Sequence, residues 1–179
     1  MLKSTLKCLL ISVPLLFMKD LYLLLGSNQG DSNLYLKKAL DKINVQLGKV
    51  IKTSKLYESE PWGFKAEQFF VNQAVLLQCD LAPLEILQKV KNIENEIGRL
   101  PKEGFQYQSR IIDIDILLYG CDVFSSETLN IPHIHLHLRR FALLPLVEIS
   151  PVFFHPYYSS TMETLLSNCE DVSTVSAVD

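Results

Sequence analysis

The apolar residues of this chain change period several times, and each change marks an element. Leu21–Leu25 is a short apolar run closed by Gly26, the pattern of a buried strand. Leu36, Leu40, Ile43 and Leu47 recur at helical spacing behind Asp31 or Ser32 as cap, and Gly48 ends that helix. Val50–Tyr57 and Phe69–Leu81 read as two further strands, separated by the Pro- and Gly-bearing loop Ser59–Gly63. Pro83 suits a first helical turn, Leu84, Leu87, Val90 and Ile97 mark a helix face, and Gly98 stops it. Ile111–Leu118 is the fourth strand. The order β-α-β-β-α-β predicts an α+β, ferredoxin-like domain: an antiparallel sheet with its helices packed on one face. A hairpin around Gly120–Asp122, a loop at Pro132 and a helix over roughly Arg139–Glu148, bent near Pro145, are expected to follow. The tail after Pro156 is rich in Ser and Thr, and fraying is expected from Cys169 onward.

The fourth strand alternates strictly. Ile112, Ile114 and Ile116 fall on one face and suit a core, while Asp113 and Asp115 fall on the other. Their Cα atoms are then roughly 6.5–7 Å apart. Two carboxylates that close stay ionised only with a cation between them or with solvent screening. Hard oxygen donors at this reach suit Mg²⁺, which leaves coordination positions for phosphate oxygens. Arg110, three residues earlier, can hold those phosphates. The competing reading of the same residues is a solvated polar strand face.

Composition narrows the classes. The chain has 179 residues, 48% hydrophobic and 21% charged, enough for one domain with a real core. A net charge of −3 without a basic run argues against nucleic acid as a partner. Cys8, Cys79, Cys121 and Cys169 are far apart, as free thiols in a reducing compartment would be. Lys3 and Lys7 precede an apolar run, Cys8–Met18, that resembles a signal peptide but is too short to span a bilayer and lacks a small-x-small cleavage site. The division expected is an extension over 1–17, a single domain over 18–168 and a frayed tail over 169–179, with translation starting at Met18 as one reading of the first segment.

Other clusters suggest chemistry. The loop Ser59–Gly63, which carries Trp62, and the segment Phe69–Asn72 come from adjacent strands and can line one pocket. Phe70 and Asn72 share a face, giving an aromatic platform and an amide that both donates and accepts, which a flat heteroaromatic ring needs. Arg99, Arg110 and Arg139 come from three segments and could clamp a triphosphate. His133, His135 and His137 alternate, a spacing compatible with a transition-metal site.

The run Arg110-Ile-Ile-Asp-Ile-Asp-Ile-Leu-Leu-Tyr-Gly120 resembles the signature of the 6-hydroxymethyl-7,8-dihydropterin pyrophosphokinase family, and the similarity extends in order from about Leu21 to Pro156. The resemblance implies transfer of pyrophosphate from ATP to the pterin hydroxymethyl group, a step of folate biosynthesis. It implies Mg²⁺, two ions, at Asp113 and Asp115. It places the pterin against Ser59, Trp62, Phe70, Asn72, Asp113 and Phe141. It places ATP against Glu94, Arg110, Ile116, His133 and Arg139, with Arg99 and Arg110 stabilising the transferring group. It favours a transition-metal role for the three histidines no further, and it leaves His155 structural or exposed. A loop, Leu100–Gln108, is expected to close over the site. A cytoplasmic monomer with small-molecule substrates, and no membrane or nucleic-acid partner, is the expectation. The chain departs from the family pattern at Pro101, Tyr107 and Ile134, which touch the closing loop and the adenine side. The rival reading is a ferredoxin-like binding or regulatory module that has lost catalysis.

Overall fold

The computed structural model describes residues 18–63, 68–99 and 109–178. The expectations placed on residues 1–17 and on the closing loop Leu100–Gln108 fall outside the described residues.

The elements, in order, are β1 (Lys19–Ser27), α1 (Ser32–Gln46), β2 (Lys49–Thr53), β3 (Leu56–Ser59), β4 (Phe70–Cys79), α2 (Pro83–Ile97) and β5 (Asp113–Tyr119). Then come β6 (Phe124–Ser125), β7 (Asn130–Ile131), a 3₁₀ turn at Leu136–Leu138, α3 (Arg140–Ile149), β8 (Phe154–His155), β9 (Ser160–Thr161), α4 (Met162–Ser167) and β10 (Val175–Val178). Local chemistry explains the boundaries. The Asp31 carboxylate accepts the Leu34 N–H at 3.0 Å and starts α1. After α1, Gly48 sits at φ 152°, and a Cβ there would lie 2.1 Å from the Gln78 carbonyl oxygen, so only glycine lets the chain turn back onto β4.

The main sheet runs β10-β3-β4-β1-β5, with β2 also paired to β4, and every pairing is antiparallel. This is the α+β arrangement expected, with the second expected strand divided in two. Ser54 causes the division: its N–H donates to the Ala74 carbonyl and its Oγ accepts the Ala74 N–H. The hydroxyl takes over a backbone group's place in the ladder.

α1 and α2 share one face of the sheet, as expected for the β-α-β-β-α-β core, and the later helices α3 and α4 cover the other. Leu23, Leu25, Leu77, Ile114 and Ile116 bury against α1 and α2 through Leu36, Ile43, Ile86 and Ile93. Tyr22, Leu24, Ala74 and Leu118 bury on the other side against Leu143 and Leu146 of α3 and Met162 of α4. The reason is in β1: Leu21–Leu25 is apolar at every position, so both its faces need cover. Each fully buried leucine contributes about 1.5–3 kcal/mol, too much to leave one face wet.

Two other expectations are corrected, and a third is narrowed to one of its alternatives. Gly120–Asp122 is a turn rather than a hairpin; the hairpin lies one step on, between β6 and β7. His155 is buried, at 3% exposure, so of its two expected roles the structural one holds. The tail does not fray after Cys169: β10 pairs with β3, extending the sheet along an edge that would otherwise lack a partner. Cys79, Cys121 and Cys169 are free thiols. Among the described residues, no helix is long and apolar enough to cross a membrane.

Candidate active site

The sheet register builds the site. Gly26 on β1 is opposite Asn72 on β4 and opposite Asp113 on β5, so the three form one row across neighbouring strands. Ala74, Leu24 and Asp115 form the next row on the same face. At about 4.8 Å per strand, the Asn72 and Asp113 backbones are about 10 Å apart. Gly26 leaves the floor between them open: a Cβ there would meet Asn72 Oδ1 at 3.2 Å and Phe70 Cδ1 at 3.8 Å. α3 packs over Leu24 and Ala74 of the second row, and the first row stays open to the cavity. The result is a pocket of about 260 Å³.

One end of the pocket is aromatic and amide-lined. Ser59, Trp62, Phe70, Asn72 and Phe141 all face it. Asn72 Nδ2 donates to Ser59 Oγ at 2.9 Å, which turns Oδ1 toward Gly26 and the cavity. The Arg139 guanidinium lies 4.7 Å from the Trp62 ring centre and 5.6 Å from that of Phe141. Stacking a weakly hydrated guanidinium on aromatic rings holds all three as one wall.

The other end is charged. Arg99 Nη1 reaches Asp113 Oδ1 at 2.8 Å, Arg110 bonds the second oxygen of Asp113, and Arg139 Nη1 lies 3.2 Å from Asp115 Oδ2. Arg99 also bonds Glu94 Oε1. Burial raises the Asp113 carboxyl above its ordinary range, the Asp115 charge adds to this, and Arg110 and Arg99 oppose it. Glu94 is pushed up to about 7, first by burial, against the pull of Arg99. His133 is lowered to about 4 by burial and then by the Arg139 charge, so it is neutral at physiological pH and can accept or donate.

Two strand-end contacts hold this end in place. Asn28, 2% exposed in the turn after β1, accepts the Arg110 N–H on Oδ1 at 2.7 Å and donates its own N–H to the Arg110 carbonyl at 3.0 Å. Glu94 accepts the Ile114 N–H at 2.8 Å, fixing β5 between the two aspartates.

A sequence profile of the 7,8-dihydro-6-hydroxymethylpterin-pyrophosphokinase (HPPK) family matches residues 22–151. The chain belongs to this family. A 2-amino-4-hydroxy-6-hydroxymethyldihydropteridine pyrophosphokinase of Aquifex aeolicus is 42% identical over 146 residues, 82% of this chain and 89% of that protein. One of the same name from Porphyromonas gingivalis is 40% identical over 141 residues, 78% of this chain and 95% of that protein. A crystal structure of Plasmodium falciparum HPPK-DHPS superposes with a TM-score of 0.69 at 20% identity, covering 84% of this chain. This chain spans 45% of that one, and the likeness supports the fold alone.

Seen as an HPPK fold, the pocket gathers most of the side chains singled out in the sequence. Ser59, Trp62, Phe70, Asn72, Arg110, Asp113, Asp115, His133, Arg139 and Phe141 line it. Arg99 joins through Asp113, and Glu94 joins through Arg99. Ile116 is not brought in: its side chain lies 4% exposed in the core on the far face of the sheet. The three histidines diverge. His133 and His135 face the pocket, whereas His137 packs against Tyr158 with ring centres 4.8 Å apart. Among the described residues, no three His, Cys, Asp or Glu side chains form a metal-holding group by themselves. Gly26, Leu24 and Asn28 escaped the sequence reading as site residues, and His135 entered it only through the alternation of the three histidines. Only the cross-strand register gives the first two their place.

Proposed function

We propose that this chain transfers pyrophosphate from ATP to the hydroxymethyl group of 6-hydroxymethyl-7,8-dihydropterin, in folate biosynthesis. The observation that carries the reading is the row Asn72–Gly26–Asp113, which puts a ring-recognising amide and a carboxylate about 10 Å apart across an open floor. The pterin ring lies on that floor, between Phe70 and the Trp62–Phe141 wall, with Asn72 Oδ1 pairing to its edge. Its hydroxymethyl oxygen then points toward the aspartates.

The donor set fits Mg²⁺. Asp113 and Asp115 offer hard oxygens on one strand face, which suits an ion that takes the rest of its shell from phosphates and water. The reading assigns two ions there, and bound Mg²⁺ would neutralise phosphate charge and acidify the attacking hydroxyl. In the arrangement described, guanidinium groups occupy the carboxylates. Nucleotide arrival exchanges partners: Arg99, Arg110 and Arg139 turn to phosphate oxygens, which frees the aspartate oxygens that would hold Mg²⁺. His133 stands beside Arg139 to contact the same phosphates.

The pterin oxygen attacks the β-phosphorus, the bond from that phosphorus to the α–β bridging oxygen breaks, and AMP leaves with the bridging oxygen. The hydroxyl proton is lost. Arg99 and Arg110 stabilise the charge that moves, as cationic groups do in phosphoryl transfer. The working form in this reading is a cytoplasmic monomer that needs only small-molecule substrates. The test is AMP formation from ATP, with and without the pterin and with and without Mg²⁺. AMP only when all three are present supports the reading. AMP without the pterin points to a hydrolase instead.

A further inference from the structure

We propose that the C-terminal segment Asp171–Val178 is a brace that positions the two walls of the ring-binding end of the pocket. This segment lies beyond residue 151, where the match to the family profile ends.

The first wall is reached through β10. Val175 pairs with Ser59, Ser176 with Glu58 and Ala177 with Tyr57. Ser59 is therefore held between Val175 on one side and Phe70 of β4 on the other. Its hydroxyl is the group that accepts from Asn72 and sets that amide's direction. Without β10, β3 becomes an edge strand just before the Trp62 loop, and edge strands fray first.

The second wall is reached through Asp171. The Arg139 side chain makes no hydrogen bond that caps α3, so the first-turn N–H groups need an acceptor from elsewhere. Asp171 supplies it from 31 residues away, accepting the Arg140 N–H on Oδ2 at 3.0 Å, while Oδ1 accepts the Ser173 N–H at 3.0 Å. A carboxylate at a helix start is also favoured by the helix dipole. Arg140 lies between Arg139 and Phe141, both of which face the pocket. One short segment therefore fixes Ser59 and Asn72 on one side, and Arg139 and Phe141 on the other.

The positioning claim stands on geometry, whereas its consequence for the pterin rests on the function proposed above. Trp62 separates the two, because it is the chain's single tryptophan and stacks against Arg139. The experiment compares the full chain with Asp171→Ala and with a form ending after Ser173. Acrylamide quenching of Trp62 is read well below each melting temperature, and steady-state kinetics are read beside it. The brace predicts a quenching constant raised about twofold or more in both variants. It also predicts a pterin KM raised about tenfold with kcat within about twofold. Lower melting temperatures with unchanged quenching and unchanged pterin KM would overturn the brace and leave the tail merely stabilising. Should the truncated form fail to fold, Asp171→Ala alone decides. If the parent chain makes no AMP, the functional reading falls and Trp62 quenching still decides the brace.

Discussion

Asn28 grips Arg110 by both of its backbone groups, accepting its N–H at 2.7 Å and donating to its carbonyl at 3.0 Å. Asn28 Nδ2 donates to Ser109 Oγ as well, at 2.9 Å. The turn after β1 thus sets where the Arg110 guanidinium meets Asp113. Asn28→Ala takes the side-chain acceptor from the Arg110 N–H, a cost of about 1–3 kcal/mol, while the backbone bond to the Arg110 carbonyl stays, and it loosens the Arg110 side chain. The expected outcome is a fall in turnover of about tenfold to a hundredfold, larger than any loss of ATP affinity. Turnover within twofold of the parent would show that the clamp does not position the arginine.

Gly26 should resist even one added carbon. A methyl there meets Asn72 Oδ1 at 3.2 Å and projects into the floor. Gly26→Ala and Asn72→Ala should each weaken pterin binding by about tenfold or more while leaving ATP binding near the parent value. Calorimetry with each ligand separates the two sites. Equal losses for both ligands would remove the ring from this end of the pocket.

Arg99 bonds both Asp113 and Glu94, so it is poised to change partner when phosphates arrive. Arg99→Ala should lower turnover about a hundredfold and change nucleotide affinity much less, since its contribution is to the charge that moves. Single-turnover rates beside equilibrium ATP binding make the comparison, and a loss confined to binding would refute the role.

His155 makes stability depend on pH. Burial, then the His137 charge, lowers its pKa from 6.5 to about 4, and its Nδ1 accepts the Tyr157 and Tyr158 N–H groups at 3.1 and 3.4 Å. The unfolded chain takes up the proton below about 6.5, the folded chain only near 4. Stability from this group is therefore complete above 6.5 and lost as pH falls toward 4. His133 carries a shift of the same sign and adds to the slope. The melting temperature of His155→Asn, whose amide oxygen can still accept, should fall less steeply over that window. Identical slopes would mean His155 is not held neutral by the fold.

Much of this could be read from residues. Alternation at Ile112–Ile116 put Asp113 and Asp115 together on one face, and the period of two put Phe70 beside Asn72. The same alternation that frees the aspartates buries the Ile116 side chain in the core. The role of Gly26 lies in a side chain it lacks, and that has meaning only across strands. The bulge at Leu117, where Tyr22 pairs Leu118 but Leu23 pairs Ile116, sends Leu117 and Leu118 to the same core, against simple alternation. β10 offers four residues with no periodic signal, and it forms because β3 presents an open edge. Long-range pairing of this kind is not encoded in local pattern.

The central claim is that Asp113 and Asp115 serve transfer to a ring seated beside them. The most direct measurement follows AMP and pterin diphosphate together, from ATP, Mg²⁺ and 6-hydroxymethyl-7,8-dihydropterin, for the parent chain and for Asp113→Ala and Asp115→Ala. The account predicts equal amounts of both products from the parent. It predicts loss of more than a thousandfold in each variant, more than ~4 kcal/mol of barrier, with the fold retained by circular dichroism. Activity in either variant within about tenfold of the parent, a change of only ~1.4 kcal/mol, would contradict it.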